Sequence, residues 1–403
     1  MTEWRNFRNE IFAMTFTSQV SYVILRDMEP NNPFIIVGYQ GPKYFCDREK
    51  ETQKLLSWIE NGSNITLIAP RRYGKTGLIH NVFHNLPKDT IGIYLDIYAT
   101  KDLTDFTRQF ASAIANGIST PIEKAMSVVA QFFKSCRPTV TPQENGLPKF
   151  SFDIAPSKTE TSLREAFAYL KSHEQHIVIA IDEFQQILEY PEKGTEALLR
   201  SLIQEIPWMR FIFAGSRQHL MGEMFATAKH PFYNSTDILS LSTIDRVKYA
   251  DFARHFFEQS GKHFSTEAFD ALYSRFGGVT WYVQRVLNRL WTLGNGLESI
   301  RQIDEVVAEL VEDRSLVFRD LLDSQNDVAR KLLPVVAANG PVAEPTSAAF
   351  LAKCALSASS VRSAIADLRD RDILYKSDSG YIVYERLFGD WLKRYAAPDP
   401  VAL

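Results

Sequence analysis

The stretch NITLIAPRRYGKTGLI, residues 64–79, constrains the fold more than any other part of the chain. A short apolar run ends at Ala69, a loop follows, and Gly74-Lys75-Thr76-Gly77 opens a segment with helical spacing. A strand that passes through a loop into a helix start aims backbone N–H groups and the positive end of the helix dipole at one point, which suits phosphate. Lys75 is then placed to reach β- and γ-phosphates, and the Thr76 hydroxyl to ligate Mg²⁺, which makes ATP and Mg²⁺ the expected ligands. The candidate binding set is Ala69, Pro70, Arg71, Arg72, Tyr73, Gly74, Lys75, Thr76 and Gly77. Ala69 stands where the motif has its first glycine. That position needs a small residue more than a glycine, so binding is expected to survive. Arg71 and Arg72 are candidates to pair with phosphates or with acids on a lid, a solvated face being the alternative.

From Ile65 onward, short apolar runs alternate with helical patterns, which predicts a parallel sheet with crossover helices. The candidate strands are Asn64–Ala69, Ile91–Ile97, Ile177–Ile181, Arg210–Ala214 and Asp237–Leu241. IVIAID and FIFAG are nearly continuous hydrophobics, as strands buried on both faces require. Before them, residues 47–60 show helical spacing with Leu55, Leu56 and Ile59 on one side, Asp47 as the expected N-cap and Gly62 as the stop. A helix is expected near 103–116, and Asn145-Gly146 between two β-prone stretches predicts a hairpin inserted on the core.

Two further strand ends complete the candidate site. IVIAIDEFQ ends in Asp182 and Glu183: the first to hold Mg²⁺, the second to polarise an attacking water. The competing role for Asp182 is to cap the next helix. FIFAGSRQHLM carries Ser216 at its tip, a candidate γ-phosphate sensor with Arg217 or Gln218 as runner-up; Ser216 as a helix N-cap is the plainer alternative. Asp96, near the end of the second strand, is read as ordering water near the metal or as capping a loop. His80, His84, His173 and His176 lack ligand pairings, so no histidine-based metal site is expected.

Composition excludes several other classes. The chain has 403 residues, 45% hydrophobic, with a net charge of −3, so no global basic field announces nucleic acid. Cys46, Cys136 and Cys354 show no metal-ligand spacing and read as reduced thiols of a cytoplasmic protein. No apolar run approaches the roughly 18 residues of a membrane span, and residues 11–25 are followed by no cleavage-like site. Residues 1–30 read as an appendage. After Leu241 the pattern turns helical, broken at Gly277-Gly278. Helices near 325–338, 346–354 and 358–371, then Ile373–Lys376, a turn and Tyr381–Tyr384, give the order of a winged helix-turn-helix. Tyr384–Tyr395 is expected to pack back as an amphipathic helix through Leu387, Phe388, Trp391 and Leu392.

FCDREKETQKL, APRRYGKTGLI, IVIAIDEFQQI, FIFAGSRQHLM and HPFYNST together resemble the archaeal-type ATPase family, in the AAA+/STAND branch of P-loop NTPases, over residues 34–395. The resemblance implies an α/β ATPase core with a parallel five-stranded sheet of order 5-1-4-3-2, a helical lid and a C-terminal winged helix. The implied domains are an extension over 1–33, a core over 34–242 with a hairpin insertion near 137–155, a lid over 243–323 and a winged helix over 324–403. It casts Lys75 and Thr76 as the Walker A pair, Asp182 and Glu183 as the Walker B pair, and Tyr44–Glu49 as the segment beside adenine. GGVTWY at 277–282 is similar to the family's lid motif, with Thr280 in place of its proline. The second-sensor arginine is missing there, Arg285 being a weak substitute, and no arginine stands near Lys229-His230. Slow or partner-dependent hydrolysis is therefore expected, as in a regulatory nucleotide switch; a nucleotide-binding scaffold without turnover is another reading.

DNA is a further candidate partner, through residues 357–372, which offer Arg362 early while Arg369 and Arg371 alternate with Asp367, Asp370 and Asp372. A phosphate-binding face would show more uncompensated cations. A protein partner or self-association is the competing expectation for the winged helix.

Overall fold

Strands at the centre of a parallel sheet must be apolar on both sides, and residues 64–241 supply three such runs. The structure, a computed structural model, describes residues 30–118, 133–142, 148–377 and 379–396. These residues fall into two compact units, one drawn from Met1–Ala253 and Gly278–Asn288, the other from Arg254–Gly277 and Arg289–Leu403.

In the first unit, helix α1 (Glu49–Glu60) leads to strand β1 (Ile65–Ile68), α2 (Lys75–His84), β2 (Thr90–Asp96) and α3 (Leu103–Gly117). An antiparallel pair follows, β3 (Arg137–Pro142) and β4 (Pro148–Asp153), then α4 (Thr159–Lys171), β5 (His176–Asp182), α5 (Thr195–Gln204), β6 (Arg210–Gly215), α6 (Gln218–Ala226) and β7 (Asp237–Ser240). The parallel sheet runs β2-β5-β6-β1-β7. Counting only its own strands, that is the 5-1-4-3-2 order the family resemblance implies. Each expected strand lies within a residue or so of its place.

Burial follows from sheet position. In β1, β5 and β6 nearly every residue is buried, whereas the edge strands β2 and β7 are only partly so. Alternation along a strand divides the core into two faces. Val178, Ala180, Ile212 and Ala214 pack with Leu55 of α1 and Leu78, Ile79 and Val82 of α2. Ile179, Ile181, Phe211 and Phe213 pack with α3–α6 on the other face. There Phe184, Phe213, Phe225 and Phe232 form a four-ring cluster with centroids 4.6–6.0 Å apart.

The inserted hairpin pairs Arg137 with Asp153 through Pro142 with Pro148, and its expected Asn145-Gly146 turn lies outside the described residues, as does all but the last residue of the expected appendage over 1–30. Asn116 of α3 holds β4, exchanging hydrogen bonds with the Phe150 backbone at 2.8 and 2.9 Å. One helix start differs from expectation. Asp47 does not cap α1; Arg48 holds the N-cap position, with φ 74°, and Asp47 instead accepts from Lys248 at 2.5 Å. A left-handed cap leaves Asp47 pointed at a lysine rather than at the helix N–H groups.

Helices α7 (Arg246–Gln259), α8 (Thr266–Arg275) and α9 (Thr280–Thr292) follow, with residues 246–253 and 280–288 belonging to the first unit. The second unit continues with α10 (Ile300–Glu312), α11 (Ser315–Asp323), α12 (Asp327–Asn339), α13 (Ala348–Cys354), α14 (Ala358–Asp370), the hairpin β8 (Leu374–Ser377) and β9 (Gly380–Val383), and α15 (Arg386–Tyr395). Ser299 and Gln302 form a capping box at α10, and Asn326 and Ser357 cap α12 and α14. A third strand contact, Val342 with Tyr381, completes the wing. Helix α15 buries Leu387, Phe388, Trp391 and Leu392, as its sequence predicts, and Trp391 donates to Ser315 at 2.8 Å. All three cysteines are buried and unpaired. Burial pushes the Cys136 and Cys354 thiols up to about 11, and moves Cys46 higher still.

Candidate nucleotide site

Parallel strands end together, so the polar residues that terminate β1, β5 and β6 converge outside one sheet edge. The loop after β1 turns through Arg72 (φ 73°) and Gly74 (φ 88°) into the first turn of α2. Gly77 permits a close approach: a Cβ there would lie 3.2 Å from the Phe45 ring.

Lys75 is 7% exposed, and its ammonium lies 2.8 Å from Asp182 Oδ1 and 2.8 Å from Glu183 Oε1. Asp182 Oδ2 accepts from the Thr76 hydroxyl at 3.0 Å and from Tyr94 at 2.9 Å, while Oδ1 also accepts from the Glu183 N–H. Glu183 has φ 56° at the end of β5, and its Oε2 accepts from Ser216 at 2.5 Å and from Gln185 at 2.6 Å. Burial would raise the Glu183 carboxyl, but the Lys75 ammonium and the bonds from Ser216 and Gln185 outweigh it and hold it below the ordinary value. The structure therefore brings Lys75, Thr76, Asp182, Glu183 and Ser216 into one hydrogen-bonded network. Ser216 is not the N-cap of α6; Arg217 occupies that position. Asp96 accepts the Tyr98 N–H at 2.8 Å, the loop-turn arrangement among its two expected roles.

The two loop arginines meet aromatic rings. The Arg71 guanidinium lies 5.0 Å from the Tyr98 ring centroid. Arg72 lies 4.6 and 4.9 Å from the Trp281 and Tyr282 centroids, bonds the Tyr282 hydroxyl, and accepts the Trp281 N–H on its carbonyl at 3.1 Å. Phosphates or acids on a lid were the expected partners, with a solvated face as the alternative; the partners observed are aromatic faces, supplied to Arg72 by the first turn of α9 and to Arg71 by Tyr98.

Beside the loop is a cavity of about 360 Å³, whose walls include Ile35, Ile36, Phe45 and Ile244. Arg48 lines it too. That side chain is 3% exposed and donates to the carbonyls of Ser242 (2.6 Å) and Tyr73 (3.5 Å) and to Glu51 (2.8 Å). The family resemblance already set Arg48 within the segment beside adenine and Thr280 and Trp281 within the lid motif, but sequence reasoning assigned no role to Tyr94, Gln185 or Gln284. Their contributions depend on contacts across the chain that no local motif spells out. Among the described residues no group of three or more His, Cys, Asp or Glu side chains could hold a metal ion, and no helix is long and apolar enough to cross a membrane.

A parallel α/β sheet with a phosphate loop after its first strand, acids at the end of a neighbouring strand and a separate winged helix define a P-loop ATPase architecture. Residues 45–286 match the family described as "ATPase domain predominantly from Archaea", and residues 316–394 match one described as "Probable winged helix domain". The chain belongs to this archaeal ATPase family. Its fold is similar to that of a Walker-type ATPase of Pyrococcus abyssi, with 16% identity, a TM-score of 0.61, and coverage of 89% of this chain and 99% of that one. It also resembles Aeropyrum pernix ORC2 in ADPNP-ADP complexes (15% identity, TM-score 0.54, 89% and 95% covered) and A. pernix ORC1 in complex with DNA (13%, 0.52, 92% and 99%). No curated protein matches the sequence.

Proposed function

We propose that the chain binds Mg·ATP at this cavity and hydrolyses it slowly, as a regulatory nucleotide switch. The observation that carries the reading is the convergence of Lys75, Thr76, Asp182, Glu183 and Ser216 at one sheet edge. The donor set fits the cation: the Thr76 hydroxyl and the Asp182 carboxylate are hard oxygen ligands already within hydrogen-bond distance of each other. Mg²⁺ held there would neutralise phosphate charge. Lys75 and the loop N–H groups would bind the phosphates, Glu183 would orient water, and Ser216 would fix the Glu183 carboxylate. Arg285, the substitute for a second-sensor arginine, is not among the cavity residues, which supports slow turnover, below the enzyme median of about 10 per second. A switch further requires that ATP bind its two states unequally.

The test is phosphate release by wild type, Lys75→Ala and Glu183→Gln, each with a melting curve. Removing Lys75 strands two buried carboxylates, a cost of about 3–5 kcal/mol, so lost activity in that variant must be read with its stability. Glu183→Gln keeps the volume and separates the two effects: nucleotide binding is expected to persist while turnover falls at least a hundredfold. Equal phosphate release by all three proteins would remove the hydrolase reading.

For the winged helix we favour a protein partner or self-association. On α14 the Arg371 guanidinium is 3.2 Å from Asp367, so part of its positive charge is already matched. DNA binding is the second reading, favoured by the likeness to ORC1, whose structure holds DNA. A filter-binding titration decides: a steep salt slope supports DNA, and flat, weak binding excludes it.

A further inference from the structure

The wall of the nucleotide cavity contains one buried amide that the phosphate chemistry does not use. Gln284 sits on α9, one turn after Thr280, and is 8% exposed, yet it lines the cavity. Its Oε1 is held by the hydroxyl of the fully buried Tyr249 at 2.8 Å. Among the described residues its Nε2 has no partner. An amide fixed at one end by a buried tyrosine and left open at the other is a directed donor on the cavity wall.

We infer that Gln284 reads the Watson–Crick edge of the purine base, donating its N–H to a ring-nitrogen acceptor, and so selects adenine over guanine and hypoxanthine. The inference rests on the ATP reading and deepens it. Ile35, Ile36, Phe45 and Ile244 offer apolar surface suited to the faces of a flat base, but such surface cannot tell one purine from another. Direction must come from a polar group. Adenine presents a bare N1 acceptor on that edge, whereas guanine and hypoxanthine carry a hydrogen there. A donor facing a donor leaves both unpaired, and sites built this way reject the wrong ligand strongly. Because Gln284 belongs to α9, the same helix whose first turn bonds the phosphate loop at Arg72 and Tyr73, one short segment would read base and loop together.

The experiment is fluorescence titration with mant-labelled ATP, GTP and ITP on the full chain, wild type against Gln284→Leu and Gln284→Glu. Wild type is expected to bind ATP at least twentyfold tighter than GTP or ITP. In Gln284→Leu the ratio should collapse below threefold, and in Gln284→Glu, which places an acceptor there, preference should move toward GTP and ITP. Tyr249 keeps the Thr280 carbonyl, 3.2 Å from its hydroxyl, as an acceptor in both variants, and melting curves verify the fold. A wild-type ratio retained in Gln284→Leu overturns the inference. Equal wild-type binding of all three nucleotides also overturns it while leaving a nucleotide site intact, whereas no binding of any nucleotide overturns the ATP reading itself.

Discussion

At the scale of single residues, the site is organised by one cation between two acids. Lys75 lies 2.8 Å from both Asp182 and Glu183, and the hydrogen bonds of Ser216 and Gln185 converge on the far oxygen of Glu183. These partners hold the Glu183 carboxyl below its ordinary 4.5, against the pull of burial. The sign of the linkage follows: a carboxylate with a depressed folded-state value stabilises the protein above its unfolded value and loses that contribution as pH falls through the folded one. The melting temperature of wild type relative to Glu183→Gln should therefore be constant above pH 5 and converge below pH 4.5. Turnover should show no acid limb from Glu183 above pH 5. A limb centred near pH 6 in the pH–rate profile would contradict this assignment.

At the scale of elements, β6 carries the tightest constraint, because it is buried on both faces and leads directly into Ser216. Phe213, 1% exposed, joins β6 to Phe184 of the turn after Glu183 and to Phe225 of α6. Phe213→Ala should destabilise the protein by about 3–5 kcal/mol, read as a fall in the denaturant midpoint. The central strands were legible in sequence for this same reason: continuous apolar runs admit few other placements. The phosphate loop and the acids of β5 were legible because their chemistry is local. The α1 cap was not, since Asp47 has the right side chain for a cap and only Lys248, far along the chain, diverts it. Nor were the partners of Arg72, whose rings come from a helix start that sequence spacing alone does not bring to the loop.

At the scale of the whole chain, the first unit is discontinuous: it takes residues 278–288 from beyond a segment that packs elsewhere. Thr280, Trp281 and Gln284 of that segment line the cavity at the loop after β1, the proposed nucleotide site. A truncation ending at Ser242, where the α/β pattern stops, retains every strand of the parallel sheet and the whole phosphate loop but loses these three residues together with Ile244 and Tyr249, which also line the cavity. It should bind mant-ATP at least tenfold more weakly than the full chain while keeping strand signal in circular dichroism. Undiminished affinity would show that residues 280–284 contribute nothing to binding. The same layout sets what sequence could and could not reveal: strand ends announce themselves by motif and GGVTWY marks the start of α9 by its likeness to the family's lid motif, whereas nothing in the spacing assigns Gln284, one turn further on, to the same wall.

The three cysteines have a practical consequence. Cys46, Cys136 and Cys354 are buried, and burial holds each thiol protonated well beyond neutral pH. Reagents such as maleimides attack the thiolate, so the folded chain offers them almost no native target. A dye or spin probe attached to a cysteine introduced on an exposed helix face would report from that one position, with the natural sulfur atoms left in place.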